Sequence, residues 1–489
     1  MQAVKRLAIG ALALVLALAA VLVVRTLTFG QSAPAFADVR LAPAPPFDLE
    51  TAARRLSEAI RIRTISVQEG GEPDRREWLR LLDWVGTTYP LSAQAMSREL
   101  VAGYTPIYTW QGADPSLAPI VLMAHQDVVP VDPATEGSWR HPPFDGVIAD
   151  GAVWGRGAID DKSSLVAIFE ATEALAASGF KLRRTVIVVN GHDEEVEQKG
   201  AMAAAQALKA RGVMAEFVLD EGLLTLADFP LLNAPAALVG IAEKGYATLA
   251  VTAKSEGGHS SMPPRQTAVR LLADAVVAIT SDPDPMRLDG PGGATVRAVG
   301  PHADFLPRMV IANEWLFGPL LIREVARTPA GAAALHTTMA PTMLEGSPKE
   351  NVLPQAARAA INYRILPGQS SADVMARARA AVGDIPVELS WSGEVKEPSP
   401  VSSTTSQAWN TIAALASRDG AIPVAPGIVL ASTDSAHMAP VAKDIYRFQP
   451  LTLSLEETKM VHGIDEHLTL DNLRQMIEFY ARLIATAAG

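Results

Sequence analysis

Three short apolar runs recur along the first half of the chain, at 119–124, 185–189 and 216–219. Each passes straight into a polar cluster: "HQD", "NGHDEE" and "DEG". Between the first two lies 163–178, where Leu165, Ile168, Phe169, Thr172 and Leu175 repeat at helical spacing. Gly179 follows where a C-cap glycine belongs. Residues 200–210 read as a second helix, closed by Gly212. Apolar strands alternating with helices predict an α/β fold with a mostly parallel sheet, in which ligands gather at the carboxyl ends of the strands. All three runs end there in His or acidic residues.

From Lys244 the rhythm changes. "KGYATLAVTAK" alternates as a half-buried strand, and "TAVRLLADAVVAI" has helical periodicity. A long irregular stretch follows; the insertion 282–345 carries Phe305, Leu306, Met309, Val310, Trp315, Leu316, Phe317, Leu320 and Leu321, which suit the lining of a pocket for a fatty acyl chain or packing at a domain or dimer interface. Then come "TTMAPTMLEG", "ARAAINYRILPG", the helix "SADVMARARAAV" and the strand "VELSW". The order β-α-β-β-α-β predicts a ferredoxin-like α+β domain inserted into the first. The chain closes with a helix capped near Thr469, turning Leu473, Met476, Ile477, Tyr480 and Leu483 inward. The expected domains are 47–243 with 393–489, and 244–392 inserted between them.

The N-terminus stands apart. Lys5 and Arg6 precede an uncharged apolar run from 7 to 24, closed by Arg25. That is about the minimum length for a membrane span. Residues 1–25 are read as a single-pass anchor, with Lys5 and Arg6 cytoplasmic and the remainder across the membrane. A cleaved signal peptide is the alternative, since Ala35-Phe36-Ala37 offers an A-x-A site; the product would then be secreted or periplasmic. Residues 26–46, rich in Ala and Pro, read as a linker.

Composition narrows the chemistry. A net charge of −11 argues against nucleic acid as a partner. With no cysteine among 489 residues, disulfides and thiolate metal sites are excluded, so any metal is held by His, Asp, Glu or water. In "HQDVVP", alternation puts His125 and Asp127 on one face, so Asp127 can orient the imidazole. In "GRGAIDDKSS", Asp160 and Asp161 open a helix. One of them would serve as a cap, but two imply more. Glu194 and Glu195 are adjacent and diverge, which suits one carboxylate for a cation and one for a water beside it. Asp220 and Glu221 end the third run, and "MVHGIDEHL" supplies His462. Two histidines and several carboxylates without cysteine suit two adjacent Zn²⁺ ions sharing one carboxylate.

The motifs "MAHQDVVPV", "GRGAIDDK", "GHDEEV", "VLDEG", "GGHSSMP", "ENVLP", "NYRILPG" and "VHGIDEH" resemble those of the dizinc amidohydrolase and carboxypeptidase family. That family includes aminoacylase, carnosinase and the glutamate carboxypeptidases. The closest branch is that of carboxypeptidase S and N-fatty-acyl-amino acid synthase/hydrolase. The resemblance implies a dizinc catalytic domain with an inserted lid and dimerisation domain. It implies that His125 and Asp220 bind one zinc, that Glu195 and His462 bind the other, and that Asp160 bridges them. Asp127 would orient His125, and Glu194 would be the general base. In the lid, His259 would reach a partner subunit's site. Asn351 and Arg364 would bind the substrate carboxylate, and Thr433 and Asp434 would line the pocket through a backbone turn. Glu197 and Gln198 depart from the pattern, where relatives often have glycines.

The function implied is zinc-dependent hydrolysis of the amide bond of a dipeptide or N-acyl amino acid with a free carboxylate, in a homodimer. A catalytically silent binding module and a zinc aminopeptidase are the alternatives.

Overall fold

The computed structural model describes residues 2–31, 34–67 and 74–489. Ser32 and Ala33 of the expected linker lie outside the described residues. The predicted α/β architecture is present. Eight strands form one sheet in the order Ser97–Val101, Thr105–Trp110, Val186–Gly191, Ile120–His125, Ala215–Phe229, Ala442–Leu453, Ala234–Glu243 and Val424–Val429. Ile120–His125 runs parallel to both Val186–Gly191 and Ala215–Phe229, and the latter is parallel to Ala442–Leu453. Every residue of Ile120–His125 and Val186–Gly191 is buried. Uninterrupted Val, Ile and Leu are what a strand covered on both faces requires.

Helices Leu49–Ile60, Lys162–Ala177, Gln407–Ala416 and Leu470–Ala488 cover one face. Helix Lys199–Ala210 and the 3₁₀ turn Asp434–Val441 cover the other. The register pairs His125 with Gly191, so the two polar clusters emerge side by side at the sheet's carboxyl edge.

The second sheet is antiparallel, ordered Thr338–Glu345, Ala356–Ile365, Gly245–Lys254 and Val387–Lys396. Helices Ala268–Thr280 and Ser371–Val382 share a core with it. This is the expected ferredoxin-like order. The stretch 282–345 departs from its reading as irregular: it folds largely into helices Pro291–Val299, Phe305–Ala312, Glu314–Val325 and Pro329–Ala333. Its glycines and Pro319 interrupt helical periodicity in the sequence, and a small core around Ile311, Leu321 and Leu335 supplies the packing that overrides them.

At the N-terminus, one helix from Val4 to Thr28 is long and apolar enough to cross a membrane. The segment after it docks on the main core through Phe36, Leu41 and Ala42, and the Ala42 amide donates to Thr486 Oγ1 at 2.9 Å.

Candidate metal centre

Asp160 stands between two histidines that are far apart in sequence. Its Oδ1 lies 2.8 Å from His125 Nε2, and its Oδ2 lies 3.1 Å from His462 Nε2. Glu195 closes the second side, with an oxygen 3.1 Å from His462 Nε2. Glu221 approaches the first, with Oε1 3.7 Å from His125 Nε2. Two sets of donor atoms lie within 4.8 Å of one another: His125, Glu194 and Glu221, and His125, Asp160 and Glu195. This imidazole and carboxylate donor set, without sulfur, fits Zn²⁺.

Three local devices build the cluster. Asp127 lies two residues beyond the end of its strand and is fully buried. Its Oδ1 sits 3.3 Å from His125 Nδ1, and its two oxygens accept the backbone N–H groups of Glu194 and Glu195, each at 3.1 Å. One carboxylate thus fixes both the imidazole and the turn carrying the two glutamates, as outer-shell carboxylates do in metal sites.

The second device is Glu466, also fully buried. It accepts the amides of Gly157, Ile159 and Asp160 and pairs with Arg156 Nη1 at 2.6 Å. Arg156 Nη2 in turn donates to the carbonyls of His462 and Gly463, at 3.1 and 3.0 Å. This staple joins the Asp160 loop to the His462 loop.

The third is Gln198, at a left-handed φ of 56° before helix Lys199–Ala210. Its Nε2 donates to Glu194 Oε1 at 3.3 Å. Its Oε1 accepts Lys396 Nζ at 2.9 Å and lies 3.2 Å from His437 Nε2. Lys396 ends the last strand of the second sheet, so Gln198 links that sheet to Glu194.

The electrostatics are those of crowded acids. Burial, followed by repulsion from neighbouring carboxylates, drives Glu194, Glu221 and Asp434 well above the usual carboxylate range. Burial also opposes ionisation of Asp160, but its bonds to His125 and His462 win and hold it below that range. His462 is pushed up to about 10 by Asp160 and Glu195. This concentration of buried acid is favourable only with compensating cations or protons.

The other expected residues divide. Among the described residues Asp220 makes no ion pair with His125; its Oδ2 accepts the Ser435 amide at 2.9 Å. Thr433 is buried and donates from N and Oγ1 to Glu243 Oε1 at 3.2 and 2.5 Å. Asp434 is buried behind Gly191, where only glycine leaves room: an added Cβ would fall 1.7 Å from Asp434 Oδ2. His259, Asn351 and Arg364 belong to the lid. His259 is exposed and 2.8 Å from Ser261 Oγ, Asn351 is exposed, and Arg364 lies over the Tyr246 ring at 4.7 Å. Among the described residues, no hydrogen bond or ion pair joins these three to the cluster.

Residues 121–486 match the family model "Peptidase family M20/M25/M40". The chain is 37% identical to the "Probable carboxypeptidase S-like 2" of Dictyostelium discoideum, covering 89% of this chain and 85% of the relative. It is 36% identical to "N-fatty-acyl-amino acid synthase/hydrolase PM20D1" of Mus musculus, covering 88% and 87%. Among solved structures it is similar to the M20 family metallo-carboxypeptidase Sso-CP2 of Sulfolobus solfataricus, with a TM-score of 0.63 at 16% identity, covering 89% and 98%. The chain belongs to peptidase family M20/M25/M40 and is a hydrolase of that metallopeptidase family.

Proposed function

We propose that the protein is a dizinc hydrolase that cleaves the amide bond of a substrate ending in a free amino-acid carboxylate, as a carboxypeptidase or an N-acyl-amino-acid hydrolase. The observation that carries this reading is the Asp160 carboxylate, whose two oxygens face His125 and His462 at 2.8 and 3.1 Å. Such a carboxylate is placed to bridge two cations. His125, Asp160 and Glu221 would hold one ion, and His462, Asp160 and Glu195 the other. Glu221 takes the place that the sequence assigned to Asp220, because its oxygen is the one directed at His125. Bound there, Zn²⁺ supplies Lewis acidity, acidifying water and drawing charge from a carbonyl oxygen.

The chain's own residues supply the rest. Glu194 accepts a proton from the attacking water and returns it to the leaving amine; its burial favours the protonated form that this return needs. Asp127 holds His125 and both glutamates in register. Arg364, flattened on Tyr246, presents a fork suited to a carboxylate, with Asn351 beside it in the lid. The lid pairs two copies, so that the exposed His259 of one reaches the carbonyl at the other's site. The Thr433–Asp434 turn lines the pocket with backbone, its side chains being buried. The N-terminal helix is a retained anchor. The names of the relatives, carboxypeptidase S-like and N-fatty-acyl-amino acid synthase/hydrolase, support this substrate class.

The test uses full-length protein in detergent with zinc, next to Glu194→Ala. The substrates are N-acetyl, N-oleoyl and glycyl forms of Leu and Phe, each with its C-terminal amide. The free acids are cleaved, the amides are spared, and the Ala variant loses about 10²–10⁴ in kcat. Cleavage of amides as fast as acids would remove the carboxylate anchor. Cleavage of only unblocked amino termini would make the protein an aminopeptidase.

A further inference from the structure

The N-terminal helix is not a free tether. Its last turns are gripped at the corner between helices Phe305–Ala312 and Glu314–Val325, which meet at 119°. Arg25 donates from Nε and Nη2 to the Ala312 carbonyl, at 3.3 and 3.2 Å. Asn313 is fully buried and donates to the Leu22 carbonyl at 3.2 Å and to Thr26 Oγ1 at 3.4 Å. Phe29 packs on the small core of Ile311, Leu321 and Leu335. Gly300 leaves the room for it, since a Cβ there would lie 2.8 Å from the Phe29 ring.

The outer face of this corner is apolar and open. Phe305, Leu306, Trp315, Leu316 and Leu320 are each between 42 and 67% exposed. Between Phe305 and Leu320 the charged residues are Arg308, which donates to the Ala303 carbonyl at 3.1 and 2.8 Å, and Glu314, whose carboxylate turns to Arg297 at 3.2 Å. A continuous exposed apolar face marks contact with a membrane or a protein.

Its height along the helix decides between these. The uncharged run 7–24 rises about 1.5 Å per residue, ~27 Å in all, close to the ~30 Å hydrocarbon core of a bilayer. The Leu22 carbonyl, bonded to Asn313, lies about 5 Å inside the charged end at Arg25. The corner is therefore fixed at the edge of the hydrocarbon, the level that tryptophan favours.

We propose that this corner is a second membrane-contacting element. Phe305, Leu306, Trp315, Leu316 and Leu320 enter the leaflet opposite to Lys5 and Arg6, and they hold the catalytic domain in one orientation against the lipid. This rests on the anchor reading of the N-terminal helix given above.

The cysteine-free chain makes the test direct. Single spin labels are placed at Leu14→Cys in the helix, at Leu306→Cys and Leu320→Cys in the corner, and at Leu79→Cys, on the exposed face of helix Arg75–Thr88 in the first domain. The full-length protein is reconstituted in phosphatidylcholine vesicles, and collisions with oxygen are compared with those of an aqueous nickel chelate. The expected oxygen-to-nickel ratio is several-fold higher at Leu14, Leu306 and Leu320 than at Leu79. If Leu14 lies in lipid while both corner labels behave like Leu79, the proposal fails and the anchor stands. If Leu14 also behaves like Leu79, the anchor reading fails and takes the proposal with it. Corner labels shielded from both reagents and coupled to each other between copies would show that a second chain covers the face, which also overturns the proposal.

Discussion

Asp220 and Glu221 are neighbours on one strand, so their side chains point to opposite sides. Exchanging each for its amide therefore separates metal binding from scaffolding. Glu221 Oε1 lies 3.7 Å from His125 Nε2, and Asp220 Oδ2 accepts the Ser435 amide at 2.9 Å. Structural zinc sites bind with about 10–16 kcal/mol over four ligands, so one ligand carries on the order of 3 kcal/mol, roughly 100-fold in affinity. Glutamine keeps an oxygen but loses the charge, so Glu221→Gln weakens one of the two proposed zinc sites by about 10–100-fold. Asp220→Asn keeps an acceptor for Ser435 and costs about 1 kcal/mol of stability, with both zinc affinities essentially retained. The assay is zinc titration of metal-free protein against a chromophoric chelator, with thermal melts of the same samples. The reasoning from side-chain direction is refuted if Asp220→Asn loses a zinc site while Glu221→Gln keeps both.

Three further outcomes follow from the same geometry. Glu194, Glu221 and Asp434 have raised pKa values in the metal-free fold, so they bind protons more tightly folded than unfolded. Their contribution is complete below about pH 4 and is lost as pH rises. His462, raised to about 10, acts in the same direction above its ordinary 6.5; His302, His336 and His437, held below 6.5 by burial, act the other way, as does Lys162, lowered to about 7, once pH nears 7, and the three buried acids with their larger shifts outweigh them. The melting temperature of metal-free protein therefore falls from pH 5 to 7, and the added stability from zinc grows over the same window; a flat metal-free profile would contradict this. Glu466→Ala strands the buried Arg156 guanidinium and releases the Asp160 loop, costing about 3–5 kcal/mol. It lowers both the melting temperature and the zinc content, read by circular dichroism and metal analysis. Gln198→Ala frees Glu194 from the lid strand and lowers kcat about fivefold, ~1 kcal/mol, with KM little changed and zinc content intact.

The sequence made the sheet legible because its buried strands are continuous Val, Ile and Leu, and each ends where its chemistry begins. The registers pairing His125 with Gly191 and Leu122 with Leu219 turn three separate motifs into one edge. The choice between Asp220 and Glu221 was not legible, for a geometric reason: alternation says that two neighbours diverge, not which one faces inward. What favours Glu221 is its approach to His125, together with the Ser435 amide on Asp220, from a turn 215 residues away. The Arg156–Glu466 staple is hidden for the same reason, since its partners are 310 residues apart and neither spacing nor periodicity links them. Gln198 showed only as a departure from glycine, and its meaning depends on Lys396 of the second sheet.

These hidden contacts share one property. Each joins a residue at the carboxyl edge of the sheet to a segment that the chain reaches much later. Strand ends can deliver acids to one place, but burial alone would protonate or scatter them. Holding them there takes donors aimed from outside: the Glu194 and Glu195 amides on Asp127, the Ser435 amide on Asp220, and the Asp160 amide on Glu466. The returning segment 434–467 supplies the Ser435 amide and the Glu466 acceptor, and also brings His462. The inserted lid postpones that return by roughly 150 residues without moving its destination, because the strands before and after the lid, Ala234–Glu243 and Val424–Val429, pair in parallel within the same sheet. Helix Pro291–Val299 of the stretch 282–345 packs back on Val424–Val429, where Thr295 Oγ1 donates to the Pro426 carbonyl at 2.6 Å, so the insertion is braced on the same sheet that carries the carboxylates.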